Sequence, residues 1–406
     1  MSCNWPRVQI SEVCELIVDC VNKTAPRVDY ETPFKMIRTP NVKGGKISLN
    51  DCRFVEEDTY EKWTRRAKVL RDDVLLTREA PMGEVGIVDF DDTVFLGQRI
   101  MQYRVDRSKL DPHFLLYSFL SSDLQHQFNM HEGSGSVVSH IRVPDCSKFE
   151  LNLPPLNIQK EIADVLKKLD RKISVNQQTN QTLEEVAQAI FKSWFVDFDP
   201  VKAKMNGEQP EGMDAATASL FPEKLVESEL GLIPEGWEPK QLKDILELAY
   251  GKALKKTDRV EGDVPVYGSG GLTGYHNQSL VEGPGIIVGR KGTVGSVYWE
   301  PKSFYPIDTV FYVKPKAGYS LNYCYLILQN LGLENMNTDA AVPGLNRNNA
   351  YRLEVVTPSQ DVLKKFESLM HSFQSKVDSN NAENSSLETL RDTLLPKLLS
   401  GEITLD

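Results

Sequence analysis

Few side chains capable of chemistry stand in a reactive pattern in this 406-residue sequence. Asp145, Asp170 and Lys172 can be read as the paired acids and lysine of a metal-dependent nuclease. That motif is permissive, however, and Asp170 and Lys172 fall in a segment of helical periodicity. GSGGLTG from Gly268 misses the dinucleotide fingerprint G-x-G-x-x-G, because Thr273 stands where the third glycine belongs and no strand-then-helix pattern frames it. There is no G-x-x-x-x-G-K-[ST] run, so the backbone cradle and lysine of direct ATP hydrolysis are missing. His113, His126, His131, His140, His276 and His371 lack metal-ligand spacing. Cys3, Cys14, Cys20, Cys52, Cys146 and Cys324 include no C-x-x-C pair and read as buried reduced thiols. The chain is expected to be non-catalytic, with no metal and no cofactor of its own.

The remaining chemistry is recognition. The second half has glycine-bracketed polar loops: YGSGG with Ser269, GRKGTVG with Arg290 and Lys291, and VPGLNRNN with Asn346, Arg347 and Asn348. Glycine permits close backbone approach, while arginine and asparagine have the donor geometry for phosphates and base edges. The first half offers Arg38, Asn41, Lys43 and Lys46 in IRTPNVKGGK, Arg78 in TREAPMGEVG, and Arg142 at the end of GSGSVVSHIR. These are the candidate DNA-binding residues; ordinary solvated turns would contain the same types.

The net charge of −10 argues against nucleic-acid binding as a single number, but its distribution does not. Residues 1–150 hold 20 Lys+Arg against 23 Asp+Glu and 236–357 hold 13 against 12, so both stretches leave room for a basic face. No apolar run reaches membrane-spanning length and the N-terminus does not resemble a signal peptide, which points to a cytoplasmic protein.

An internal repeat positions these loops. Apolar residues at Ile158, Ile162, Val165, Leu169, Ile173, Leu183, Val186, Ile190 and Trp194 recur every three or four positions, with Asn176 and Asn180 on the same stripe. An offset of 204 reproduces it as Val362, Phe366, Leu369, Phe373, Val377, Asn380, Asn384, Leu387, Leu390, Leu394 and Leu398. More loosely, GEVGIV from Gly83 resembles GTVGSV from Gly292. The pattern predicts an α/β (α+β) fold with two globular regions, each followed by a long helix. Each helix needs a partner, and the other copy is the obvious one. In an antiparallel coiled coil the layers of Asn176, Asn180, Asn380 and Asn384 would meet and could fix register, or the asparagines mark a solvated break in each helix. Proline and glycine breakers give the expected segments: a globular region at 1–155, a helix at 156–198, a linker at 199–236, a second region at 237–357 and a second helix at 358–406.

LPPLNIQKEIADVLKKLDRKI, NQTLEEVAQAIFKSWFVDFDPVKAK and LFPEKLVESELGLIPEGWEP resemble the central region of type I restriction-modification specificity subunits. VYGSGGLTGYH, VGRKGTVG, AVPGLNR and LRDTLLPKLLSGEI extend the resemblance over nearly the whole chain. PSQDVLKKF from Pro358 departs from the P-P-x-x-x-Q-x-x-I form that opens the first helix. The resemblance implies two target-recognition domains, each reading half of a split, asymmetric duplex DNA site. It also implies two adenine-methylating (M) subunits docked on the central helices and carrying S-adenosylmethionine, and restriction (R) subunits using ATP and magnesium. The acidic charge leaves one rival: a scaffold whose globular ends bind proteins and whose helices form a strut.

Overall fold

The computed structural model describes residues 5–130, 140–336 and 344–405. The chain divides into two compact units, and the division runs through both long helices: one unit holds Met1–Val175 and Glu383–Asp406, the other Asn176–Ala382.

In the first unit a four-stranded antiparallel sheet has the order Cys14–Asp19, Ile100–Val105, Val74–Arg78, Met82–Ile87. A smaller sheet has the order Arg53–Phe54, Lys35–Ile37, Val94–Leu96, its last pair parallel. Arg7–Gln9 pairs with Glu150–Asn152. The run VLLT is buried throughout because both sheet faces are covered. Val74 and Leu76 pack with Phe114 and Leu115 of the helix Pro112–Leu120, while Leu75 packs with Ile37 and Leu96 of the smaller sheet. Asp111 starts that helix, its carboxylate accepting from the His113 and Phe114 amides at 2.9 and 3.0 Å.

The second unit repeats this plan. Its four-stranded sheet runs Leu246–Tyr250, Val310–Pro315, Gly285–Gly289, Val297–Glu300; its smaller sheet runs Gly271–His276, Val264–Gly268, Tyr305–Pro306, again ending on a parallel pair. Glu238–Gln241 pairs with Glu354–Thr357. Ser320 caps the helix Leu321–Asn330 in place of Asp111.

The long helices span Leu156–Phe195 and Gln360–Leu399, 40 residues each, and begin 204 residues apart. The missing motif at Pro358 therefore does not shift the second start. Gln159 of the first motif is fully buried, donating to the Lys109 and Pro154 carbonyls and accepting from the Asp111 amide; the residue 204 further on, Leu363, is buried among apolar side chains instead.

Each core is closed by the start of one long helix and the end of the other. Ile162 and Leu166 join Leu395, Leu398 and Leu399 in the first unit, and Val362, Phe366 and Met370 join Phe191, Trp194 and Phe195 in the second. Within each unit the two segments run antiparallel. Asp170 pairs with Arg391 and Lys172 with Glu383 in the first, while Asn180 meets Asn380 and Phe191 meets Phe366 in the second. Two residues of the expected stripe are corrected: Val186 and Leu390 are 39% and 46% exposed, and Phe191 and Leu395 are buried instead. Both pairs are 204 apart, so the departure is itself repeated: near its end each helix turns another face to the globular core.

The segment 199–236, expected as a linker, is part of the second unit. It holds the helix Asp199–Met205 and the hairpin Leu225–Ser228 with Gly231–Pro234, and Val201 and Phe221 are buried with Trp194 and Trp237. Its apolar residues between the glycines and prolines account for this. The five described cysteines are free, and burial pushes the thiols of Cys14 and Cys324 up to about 12. Among the described residues no helix is long and apolar enough to cross a membrane.

Candidate nucleic-acid interface

In the second unit the strand Gly285–Gly289 delivers Arg290 to the rim of the sheet. The Arg290 amide donates to the Thr309 carbonyl at 2.9 Å, and its own carbonyl accepts from the Leu345 amide at 2.8 Å. Gly289 and Gly295 close the loop between them: the Gly289 amide donates to Ser296 O, and a Cβ on Gly289 would lie 2.1 Å from Thr293 O. Lys291 is exposed and bridges to Gly344, which brings the GRKG and NRNN loops together. Ser269 ties in the hairpin turn, its carbonyl accepting from the Ser296 and Tyr298 hydroxyls at 2.8 and 3.2 Å.

Two guanidiniums share one aromatic ring here. Arg290 Cζ lies 5.0 Å and Arg347 Cζ 4.8 Å from the Tyr250 centroid; Arg290 also approaches Phe311, and Arg347 approaches Tyr351. Asn346 caps the short helix Arg347–Tyr351, its Oδ1 accepting from the Asn348 and Asn349 amides, so it shapes the loop, while Asn348 presents an exposed side chain. Tyr250 is not among the expected readers. Strand alternation groups it with buried Leu246 and Leu248, yet at the strand end it is 50% exposed.

The first unit has the same frame. The Arg78 amide donates to Arg99 O at 2.8 Å and its carbonyl accepts from the Ile141 amide at 2.9 Å, the two bonds that hold Arg290. Its guanidinium is tied down, Nη1 donating to Ile141 O at 3.0 Å. Arg142 follows and pairs with Asp145, whose carboxyl is held below the usual carboxylate range chiefly by the bond from Lys148, with burial opposing it and Arg142 adding to the lowering. The Arg38 loop joins this rim through Thr39, whose hydroxyl donates to Ala80 O at 2.8 Å, and Arg38 itself donates to Asp51 O.

Three expected readers are placed elsewhere. Asn41 is 5% exposed, accepting from the Arg38 amide and donating to Asn50 O, so it builds the turn. Lys46 is turned to the long helix, donating to Ser174 Oγ at 2.6 Å, and Lys43 sits across from it in a two-residue-strand hairpin. Asp145, Asp170 and Lys172 form no shared site, each being engaged in its own ion pair. The runs beginning at Gly133 and Val342 lie partly outside the described residues.

The model of the type I restriction modification DNA specificity domain matches residues 3–185 and 234–389. The chain belongs to this family. A type I restriction enzyme specificity subunit of Haemophilus influenzae is 29% identical over 400 residues, covering 82% of this chain and 87% of the relative. A Methanocaldococcus jannaschii specificity subunit is 25% identical over 359 residues, covering 82% and 78%. The crystal structure of an S subunit from M. genitalium shares the fold with a TM-score of 0.55 at 19% identity, over 99% of this chain and 96% of that one. The expected α/β fold and family both hold. As a member of the specificity family the chain is the non-catalytic component of a restriction-modification system, and its role is DNA recognition.

Proposed function

We propose that this specificity chain reads a bipartite, asymmetric DNA target, one half through each domain, and docks two methyltransferase subunits on its long helices. One observation carries the reading: Arg78 and Arg290 are held by equivalent pairs of backbone bonds at the end of the equivalent strand in each unit's sheet, while the side chains around them differ. A shared frame with unlike readers suits two unlike half-sites. Arg38, Arg78 and Arg142 face the first half-site, and Ser269, Arg290, Lys291, Arg347 and Asn348 the second. S-adenosylmethionine belongs to the methylating partners, which flip the target adenine out of the stack. ATP and magnesium belong to the restriction subunits.

Methylation mapping in a host expressing this chain with its partners tests the proposal. The expected result is modified adenine in two short, different motifs separated by an unread spacer of fixed length. A single continuous motif, or a palindrome, would sink it.

A further inference from the structure

Arg290 and Arg347 pose an electrostatic problem that their surroundings do not answer. Both are half-buried, both lie over the Tyr250 ring at 5.0 and 4.8 Å from its centroid, and among the described residues neither has a carboxylate partner or a side-chain hydrogen bond. Arg347 Nε is buried with no partner. Two cations over one ring repel one another, and the negative face of the aromatic system offsets part of that repulsion. Other arginines of the chain are handled differently: Arg104 is bidentate on Asp73 and Arg142 is paired with Asp145, while Arg38 and Arg78 donate to backbone carbonyls.

Stacking does two things to a guanidinium. It fixes the plane of the fork, and it leaves the in-plane N–H groups free to donate along the edge. A fixed, unpaired, edge-donating fork fits an acceptor pair in one plane, which the major-groove edge of guanine supplies through O6 and N7. A ring shared by two forks also couples them, because displacing Tyr250 releases both.

The first unit shows what the ring adds. Strand register places Asp19 opposite Met101 there, as Tyr250 stands opposite Phe311 here. Asp19 is an acid in an ion pair with Arg66, and the arginine at the rim, Arg78, lies on a backbone carbonyl instead of a ring.

We propose that Tyr250 is a positioning residue for base reading in the second half-site, holding Arg290 and Arg347 as a pair of preset forks for guanine. This rests on the bipartite reading above. The test uses the chain assembled with its methylating partners and a duplex library in which each half-site is varied separately. Initial methylation rates are measured at several salt concentrations. Tyr250→Phe keeps the ring and should keep the wild-type preference. Tyr250→Leu should lose about ten-fold or more of the discrimination at one or two G·C positions of the second half-site, with the first half-site read as before. Arg290→Lys and Arg347→Lys keep the charge without the fork and should lose discrimination at the same positions, which holds the test open should the leucine variant fail to assemble.

Unchanged discrimination in Tyr250→Leu or in both lysine variants would overturn the proposal while leaving bipartite reading intact. So would a uniform loss over all sequences with a shallower salt dependence, the mark of a phosphate clamp. A wild-type complex with no preference in the second half-site would overturn bipartite reading and this proposal together.

Discussion

The two units are built on one plan and hold it together with different chemistry. Where the first unit has Tyr117, Asp170 and Arg391, the positions related by the repeat in the second carry Leu326, Gln374 and Ala187. In the first, the Tyr117 hydroxyl and the Arg391 guanidinium both donate to the Asp170 carboxylate, at 2.8 and 2.9 Å. In the second, the three replacements line a groove of about 520 Å³ with Trp299, Tyr325 and Phe373. Beyond their apolar packing, the helix segments of the first unit are thus joined through charge, and those of the second through aromatic contacts and asparagine. The repeat preserves backbone positions, and each copy solves contact at those positions separately.

The largest effect expected from this contrast is on the aromatic side. Phe366 is fully buried against Phe191, Trp194, Phe195 and Tyr323. Phe366→Ala should cost about 3–5 kcal/mol in the second unit, where Ile162→Ala at the equivalent place should cost about 2–5 kcal/mol in the first. Native-state hydrogen exchange, read separately over residues 1–175 and 176–382, measures both. Equal loss of protection in the two stretches from either substitution would mean that they unfold as one, and the contrast would have no energetic meaning.

The sequence made much of this plan legible, and its failures are local. Two helices and their starts followed from the 204-residue offset, because a 3.6-residue period over 40 residues is a strong signal, while their antiparallel sense came only with the family resemblance. The division into compact units was not legible: it depends on which end of each helix closes which core, a non-local fact that no stripe records. Among the candidate readers, arginines at glycine turns were placed at the rim, since glycines such as Gly289 are demanded by the turn itself. Asn41 holds a turn and Asn346 a cap, because asparagine serves either as readily as a base edge. Tyr250 escaped because its parity in the strand assigns it to the core, and only the end of the strand exposes it.

Register provides the middle-sized effect. Asn180 donates to Asn381 Oδ1 and accepts from Asn380 Nδ2, each at 2.8 Å, and Asn380 is 1% exposed. Asn180→Leu alone should therefore cost about 1–3 kcal/mol, because it leaves a buried amide without its acceptor. Adding Asn380→Leu should recover most of that loss. Replacing Asn176, Asn180, Asn380 and Asn384 together should stabilise the helices and loosen their alignment. Denaturant unfolding reads the first two steps, and the spacer length in methylation mapping reads the third. If the double variant is no more stable than the single one, the asparagines act through something other than their mutual bonds.

The smallest effect comes from moving charge between the units. Ala187→Arg with Gln374→Asp copies the Asp170–Arg391 pair into the groove of the second unit, where Leu326 supplies no hydroxyl to match Tyr117. The pair in the first unit is part-exposed, with side-chain exposures of 28% and 29%, so the copy should add under about 1 kcal/mol. Salt should weaken that gain without erasing it, since the paired groups would lie well inside the Debye length of about 10 Å at 0.1 M ionic strength. A double-mutant cycle in low and high salt isolates the coupling from the cost of filling the groove. A coupling that ignores salt would show that packing, not charge, distinguishes the two seams. A coupling of zero would place the stabilising element of the first unit in the Tyr117 hydroxyl, which the copy lacks.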